Sequence, residues 1–273
     1  MSHSDNPTAT ELERLLAFAH DLADLSEQYI LPYFRARVTV QNKSESGVFD
    51  PVTEADLKAE KAIREAITEA YPDHGIIGEE YGAKGSGASK CWLIDPIDGT
   101  KAFVTGSPLW GTLIGLLDEG RPLLGLMNQP FTGERYWSDG QSARYRDRVS
   151  GDTPIKTRRC PQLGDAVMTT TSLDLLEPGF ERERFDALSG RIRMRRFGGD
   201  CYSYCLLAAG QIDLVVETGL NPHDIVALIP IIQQAGGMVT QWDGGDATLG
   251  GRIIAAGDRD LHAAAVEVLT RPE

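Results

Sequence analysis

Positive charge is scarce in this chain of 273 residues: Lys and Arg number 27 against 40 Asp and Glu, a formal net charge of −13. That balance argues against a nucleic-acid backbone or an anionic membrane as the natural partner, because both would be repelled. Cysteine is sparse as well. Cys91, Cys160, Cys201 and Cys205 are the whole set and include no C-x-x-C pair, so they read as reduced, mostly buried thiols of a cytoplasmic protein. Long apolar runs are missing too. The longest, around residues 225–232, is interrupted by Pro230 and is too short to span a bilayer. Residues 1–10 are polar rather than basic and then apolar, so no signal peptide is expected. The chain carries neither an internal repeat nor a low-complexity tract.

What remains is an ordinary globular composition, 41% hydrophobic and 25% charged, enough for one large domain or two modest ones. Leu12, Leu15, Leu16, Ala19, Leu22, Leu25, Tyr29 and Tyr33 recur at helical spacing. They predict an amphipathic helix over residues 10–37, kinked or ended near Pro32. Residues 43–47 read as a mobile loop or hairpin, and Thr53 with Asp56 three residues on reads as a capping box opening a second helix. Residues 76–82 form a short strand ending in Glu79-Glu80, and residues 111–137 an antiparallel meander. After a polar, Pro-containing stretch near 150–161, strand-like and helix-like pieces alternate, including helices over 201–209 and 222–235. Such alternation predicts an α/β half with a largely parallel sheet. A subdomain boundary is therefore placed near residue 150, dividing an α+β unit (1–150) from an α/β unit (151–273).

The stretch around which the rest is organised is Cys91-Trp92-Leu93-Ile94-Asp95-Pro96-Ile97-Asp98-Gly99-Thr100. An apolar run closed by Pro and Gly reads as a buried strand ending in a stiff bend, with Thr100 capping a helix from Lys101. A lone D-x-x-D is an ordinary turn. Proline between the acids and Gly-Thr directly after them make this one more specific. Asp224, at the start of an apolar helix, reads by itself as a helix-dipole acid.

Asp50, Glu79, Asp95, Asp98 and Asp224 are the acids at strand ends and helix starts. All are oxygen donors, with no His or Cys at metal spacing among them, which favours Mg2+ over Zn2+. Bound divalent cations would also invert the local sign of a field that otherwise repels phosphate. Carboxylates beside a helix start thus point to metal-assisted phosphoryl chemistry. A catalytically silent phosphate- or metal-binding protein is the competing class. It should have lost at least one of these acids or Thr100, and none is missing.

With Glu79-Glu80, the D-P-I-D-G-T run at 95–100, Asp224 ahead of Ala235-Gly236-Gly237, and Asp50-Pro51-Val52-Thr53-Glu54-Ala55-Asp56, the chain resembles the inositol monophosphatase family along nearly its whole length. The family consists of Mg2+-dependent, lithium-sensitive phosphatases. The resemblance implies an α/β fold, a layered αβαβα sandwich, and a homodimer acting on a small-molecule phosphate ester. It implies Glu79, Asp95, Asp98 and Asp224 as side-chain ligands of two or three Mg2+ per site, with Ile97 offering its carbonyl. Thr100 and Asp50, with Glu79, match the catalytic groups around the attacking water, and Gly99 and Thr100 the backbone donors to phosphate. Asp98, Asp200, Glu217 and Asp224 match substrate-contacting positions.

Detail is most similar to the histidinol-phosphatase subgroup, in Gly99-Thr100-Lys101-Ala102-Phe103, in Phe197-Gly198-Gly199-Asp200 and in Glu217-Thr218-Gly219-Leu220-Asn221-Pro222-His223-Asp224. Histidinol phosphate ends in an ammonium and an imidazole, for which Asp200 and Glu217 would supply counter-charge. Asp200 also reads, equally well, as the N-cap of the helix at 201–209. His223 and Val226 depart from the family pattern beside Asp224. An inositol monophosphate, or a broader set of small phosphate esters, is the alternative substrate.

Overall fold

The computed structural model describes residues 9–36, 40–42 and 51–271. Helix α1 (Ala9–Ile30) is followed by a 3-10 turn at Leu31–Tyr33, a short ribbon of β1 (Val40–Asn42) and β2 (Pro51–Thr53), and α2 (Glu54–Ala70). The α-helix expected to reach residue 37 stops at Ile30 because Pro32 has no N–H and its ring crowds the carbonyl four residues back. The capping box of α2 forms: the Thr53 N–H and hydroxyl donate to Asp56 Oδ2 at 2.9 and 2.5 Å. The loop expected at 43–47 lies outside the described residues.

Next come β3 (Gly75–Gly78), β4 (Gly82–Lys84), β5 (Lys90–Asp98), α3 (Thr100–Val104), β6 (Gly111–Asp118), β7 (Arg121–Gln129), β8 (Glu134–Ser138), β9 (Ala143–Asp147) and β10 (Gly151–Ile155). Among the described residues these strands form one eight-stranded sheet in the order β10-β9-β8-β7-β6-β5-β3-β4. It is antiparallel except where β3 and β5 run parallel. The sheet passes residue 150 and ends at Ile155, because Gly151–Ile155 pairs residue by residue with β9.

The remainder comprises β11 (Val167–Thr170), α4 (Phe180–Ser189), β12 (Met194–Phe197), α5 (Asp200–Ala208), β13 (Leu214–Leu220), α6 (Pro222–Ile225), α7 (Leu228–Gln234), β14 (Met238–Gln241), β15 (Gly251–Ala256) and α8 (Arg259–Thr270). The second sheet runs β12-β11-β13-β15-β14. It is mixed rather than largely parallel: β12, β11 and β13 are parallel, while β15 pairs antiparallel with both β13 and β14. A parallel pair needs a crossover of a dozen or so residues, and the helix-free stretch 242–250 between β14 and β15 can only turn back. The single helix expected over 222–235 is divided into α6 and α7, since Pro230 cannot donate to the carbonyl of Val226.

The side-chain period of two explains the layering. Ile114 of β6 and Leu124 and Leu126 of β7 face α1 and α2, in a core with Leu15, Leu22, Ile63 and Ile67. Their neighbours Leu113 and Met127 face the other way, into a core shared with α5, α7 and the second sheet. There Val215, Ile253 and Ala255 point inward, whereas Leu214, Val216, Ile254 and Ala256 meet α4 and α8 on the far side. Five layers result, α-β-α-β-α, with both sheets buried on two faces. The central layer sits close: a Cβ at Gly125 would lie 1.8 Å from the Ala227 carbonyl oxygen, so only glycine fits there. All four cysteines are buried. No described helix is long and apolar enough to cross a membrane.

Candidate active site

The edge of the first sheet where β5 ends meets the first turns of α5 and α6 from the second half of the chain. Cys91, Trp92, Leu93 and Ile94 are buried on both faces of β5, which fixes the strand up to Asp95, itself only 2% exposed. Pro96 cannot donate to the ladder, and the register with β6 breaks between Asp95 and Asp98. Two bonds hold the bulge: the Ile97 N–H donates to Asp95 Oδ1 at 3.0 Å, and the Thr112 hydroxyl to the Pro96 carbonyl at 2.8 Å. The bend therefore presents Asp95 and Asp98 together.

Asp224 joins them from α6. Carboxylate oxygens of Asp95, Asp98 and Asp224 all lie within 4.8 Å of one another. The Asn221 N–H donates to Asp224 Oδ2 at 2.7 Å, and His223 Nε2 stands 3.2 Å from its Oδ1. Glu79, just past β3, donates its N–H to the Ile94 carbonyl at 3.2 Å and so stands beside Asp95 across the ladder. Burial pushes the Asp95 carboxyl well above its ordinary range, and Glu79, Asp98 and Asp224 push it further. Burial also raises Asp98, with Asp200 and Asp224 adding to it. Asp224 is raised by burial and by Glu79 against the opposing pull of His223. A cluster of oxygens, one buried and two half-buried, whose charges repel one another has the donor chemistry that a hard divalent cation takes.

Asp98 has a second role that its sequence context does not announce. Its Oδ2 accepts the Cys201 N–H at 2.6 Å, capping α5 from the other half of the molecule. Asp200 is not the cap: Gly199 holds that position, and Asp200 follows it with a left-handed φ of 42°. Nor does Thr100 cap α3, where Gly99 takes the N-cap position with φ of 87°. The Thr100 hydroxyl instead donates to the Ile97 carbonyl at 3.1 Å, which leaves its lone pairs to accept. Phe103 anchors α3 in a small core with Ile97, Phe34 and Trp110.

A cleft of about 580 Å³ opens from this point, with Thr100, Lys101, Thr171, Asp174, Asp200 and Asp224 in its wall. Glu217 of β13 lies behind that wall. Its Oε1 accepts the N–H and hydroxyl of Thr171 at 2.9 and 2.5 Å, and its Oε2 accepts the Tyr204 hydroxyl at 3.0 Å. Burial raises the Glu217 carboxyl, against these donors. Burial and then the Glu217 charge push Asp200 up to about 7. The structure thus gathers Asp95, Asp98, Asp224, Thr100, Gly99 and the Ile97 carbonyl at one point, with Glu79 beside Asp95 and Asp200 against Gly99 beside Asp98. Asp50 lies outside the described residues.

Lys101, Thr171 and Asp174 were not singled out from the sequence. The signal for the last two was the hydroxyl run Thr169-Thr170-Thr171-Ser172 at the carboxyl end of a parallel strand, where α/β sheets place their ligands.

The model of the inositol monophosphatase family matches residues 11–271. The bifunctional phosphatase IMPL2, chloroplastic, of Arabidopsis thaliana is 41% identical over 271 residues, 95% of this chain and 76% of that protein. A histidinol-phosphatase of Mycobacterium tuberculosis is 36% identical over 224 residues, 81% of this chain and 84% of its own length. Among solved structures, an inositol monophosphatase from Zymomonas mobilis superposes with a TM-score of 0.83 at 39% identity, covering 95% of this chain and 98% of that one.

Proposed function

From the chain's membership of the inositol monophosphatase family, and hence its activity as a phosphoric monoester hydrolase, we propose that it hydrolyses L-histidinol phosphate to L-histidinol and phosphate, a reaction of histidine biosynthesis, with Mg2+ as cofactor. The observation that carries the substrate reading is the second group of acids. Asp200, with Glu217 behind it, adds negative charge to the cleft wall beyond the Asp95–Asp98–Asp224 cluster, which it borders beside Gly99 and Asp98. An uncharged polyol gives such a pair nothing to neutralise. The ammonium of histidinol does.

In this reading Glu79, Asp95, Asp98, Asp224 and the Ile97 carbonyl would hold the cation. Bound Mg2+ supplies charge neutralisation for the ester and acidifies the attacking water. The chain's own groups do the rest. Thr100 donates its hydroxyl proton to the Ile97 carbonyl and so accepts a hydrogen bond from the water, aiming the water's oxygen at phosphorus. Asp50, matched by resemblance, takes the proton that the attacking water gives up. Gly99 and Thr100 open α3 with backbone donors toward the phosphate, and Lys101 adds a positive charge to the wall. Asp200 holds the amine end, so the ester oxygen and phosphorus are aligned before the bond breaks.

The deciding measurement is phosphate release from histidinol phosphate, inositol 1-phosphate and glycerol phosphate, with Mg2+ and with chelator. Histidinol phosphate should lead by about 10- to 150-fold in kcat/KM, the value of one charge-assisted contact. Equal or faster turnover of inositol 1-phosphate would replace the substrate reading, and full activity in chelator would remove the metal. The homodimer implied by resemblance is checked by light scattering on the same preparation.

A further inference from the structure

Glu60 takes no part in the chemistry above, yet it is a charged side chain with no exposed surface, in the middle of α2. Both of its oxygens are taken by the turn that follows Glu79. Oε2 accepts the Glu80 N–H at 2.7 Å and Oε1 the Tyr81 N–H at 3.1 Å. Arg64, one helical turn on, donates from Nη1 to Oε1 at 3.1 Å, and from Nη1 and Nη2 to the Gly82 carbonyl at 3.0 and 2.9 Å. The turn from β3 to β4 is thus gripped on its N–H groups by a carboxylate and on its carbonyl by a guanidinium. Strand β3 makes room for this: a Cβ at Gly78 would stand 2.0 Å from Glu60 Oε1. Glu79 is the residue between Gly78 and the first gripped N–H, and its own N–H is fixed to Ile94.

A neutral acceptor would satisfy two turn N–H groups with less desolvation than an anion needs. The anion also stands close enough to Glu79 for the two charges to oppose each other. Charge-assisted bonds are, in exchange, shorter and more directional than neutral ones. We infer that Glu60, clamped by Arg64, is a positioning residue that fixes the backbone on the far side of Glu79, so that the Glu79 carboxylate meets Asp95 in the geometry a divalent cation requires. The inference rests on the metal reading of the cluster and extends it one layer outward.

The test is Mg2+ binding by titration calorimetry on the full chain, alongside kcat and KM for histidinol phosphate and the Mg2+ concentration for half-activation. Glu60→Gln keeps the shape but sets an NH2 group against one of the two turn N–H groups. It should weaken Mg2+ binding about 10- to 100-fold, as loss of an outer hydrogen bond to a ligand does elsewhere. The same variant should need correspondingly more Mg2+ for half-activation, leave KM for the ester nearly unchanged, and recover kcat in excess Mg2+. Wild-type Mg2+ affinity in Glu60→Gln, whatever its thermal stability, overturns the inference. Should that variant not fold, Arg64→Ala carries the same test, because it frees the Gly82 carbonyl and leaves the Glu60 bonds to N–H groups. Weakened Mg2+ binding supports the inference and unchanged binding overturns it. Glu79→Gln separates the two levels of the argument. If it binds Mg2+ as wild type does, the metal reading itself fails; if it binds weakly while Glu60→Gln does not, only the positioning role fails.

Discussion

Asp95 at the end of β5 and Glu217 in β13 are buried to much the same degree, with Asp98 half-buried beside Asp95, yet they live in opposite surroundings. Glu217 is met by three donors, from Thr171 and Tyr204, and needs nothing further to sit where it does. Asp95, Asp98 and Asp224 are each given one backbone N–H, Asp224 also the His223 ring, and their remaining oxygens are turned toward one another. Hydrogen bonds make the first group a brace that holds the cleft wall. Backbone geometry, with one imidazole at Asp224, holds the second, and its unspent negative charge is what a cation would bind. In the proposed reading, function sits where the polar accounting is left open, and support sits where it is closed.

The largest expected effect comes from closing the open group artificially. Asp98→Asn keeps an acceptor for the Cys201 N–H, so α5 stays capped, but it removes charge from the cluster. Turnover with Mg2+ should fall about 10³-fold or more, the several kcal/mol attributed to metal-assisted charge stabilisation. Near-normal steady-state turnover would erase the distinction between the two groups. Next in size is Thr100→Ala. It should lower kcat about 10²-fold with KM little changed, because the hydroxyl orients a water rather than the ester. A raised KM at constant kcat would make Thr100 a binding residue instead.

Asp200→Asn tests the cleft wall beside Asp98. Asn accepts a left-handed backbone as readily as Asp, and the cap belongs to Gly199, so the helix should be unaffected. A loss of about 10- to 150-fold in kcat/KM on histidinol phosphate, sparing glycerol phosphate, is expected for a charge contact. Equal losses on both esters would assign Asp200 to the site in general.

The smallest effect is on stability. An acid whose folded pKa lies above its unfolded one binds more protons when folded, so stability falls as pH rises between the two values. For Asp200 that window runs from about 4, the ordinary aspartate value, up to about 7. Asp95, Asp98 and Asp224 are shifted in the same direction. In chelator, the Tm advantage of Asp98→Asn over wild type should therefore grow as pH rises from acid to neutral, and Mg2+ should abolish it. An advantage that shrinks with pH would mean that the cluster is not strained by its own charge.

Much of the local structure was legible in the chain because it depends on neighbours in sequence. The Thr53–Asp56 box, the strand into Asp95 and the bend at Pro96 each follow from a few adjacent residues. Errors fell where the deciding partner was distant. Asp200 read equally well as a cap or as a substrate contact, but Gly199 takes the cap position and Asp98, more than a hundred positions earlier, accepts the Cys201 N–H. The second sheet looked largely parallel because alternation of helix and strand is silent on direction, which the short stretch 242–250 decides. Glu60 gave no sign of its partners, since an acid at that place on a helix is usually solvated.

By itself, then, the sequence determined the identities that chemistry requires: oxygen donors only, a proline-stiffened pair of acids, and a hydroxyl two residues beyond. Dihedral preferences and side-chain chemistry are properties of a residue and its near neighbours, and they are already set in the unfolded chain. Only the tertiary structure decided which acids share a charge cluster, which are braced by donors, and which carboxylate caps which helix. Those outcomes depend on distances between segments far apart in the chain. Burial in the central layer fixes those distances, and burial also strengthens every charge interaction within it.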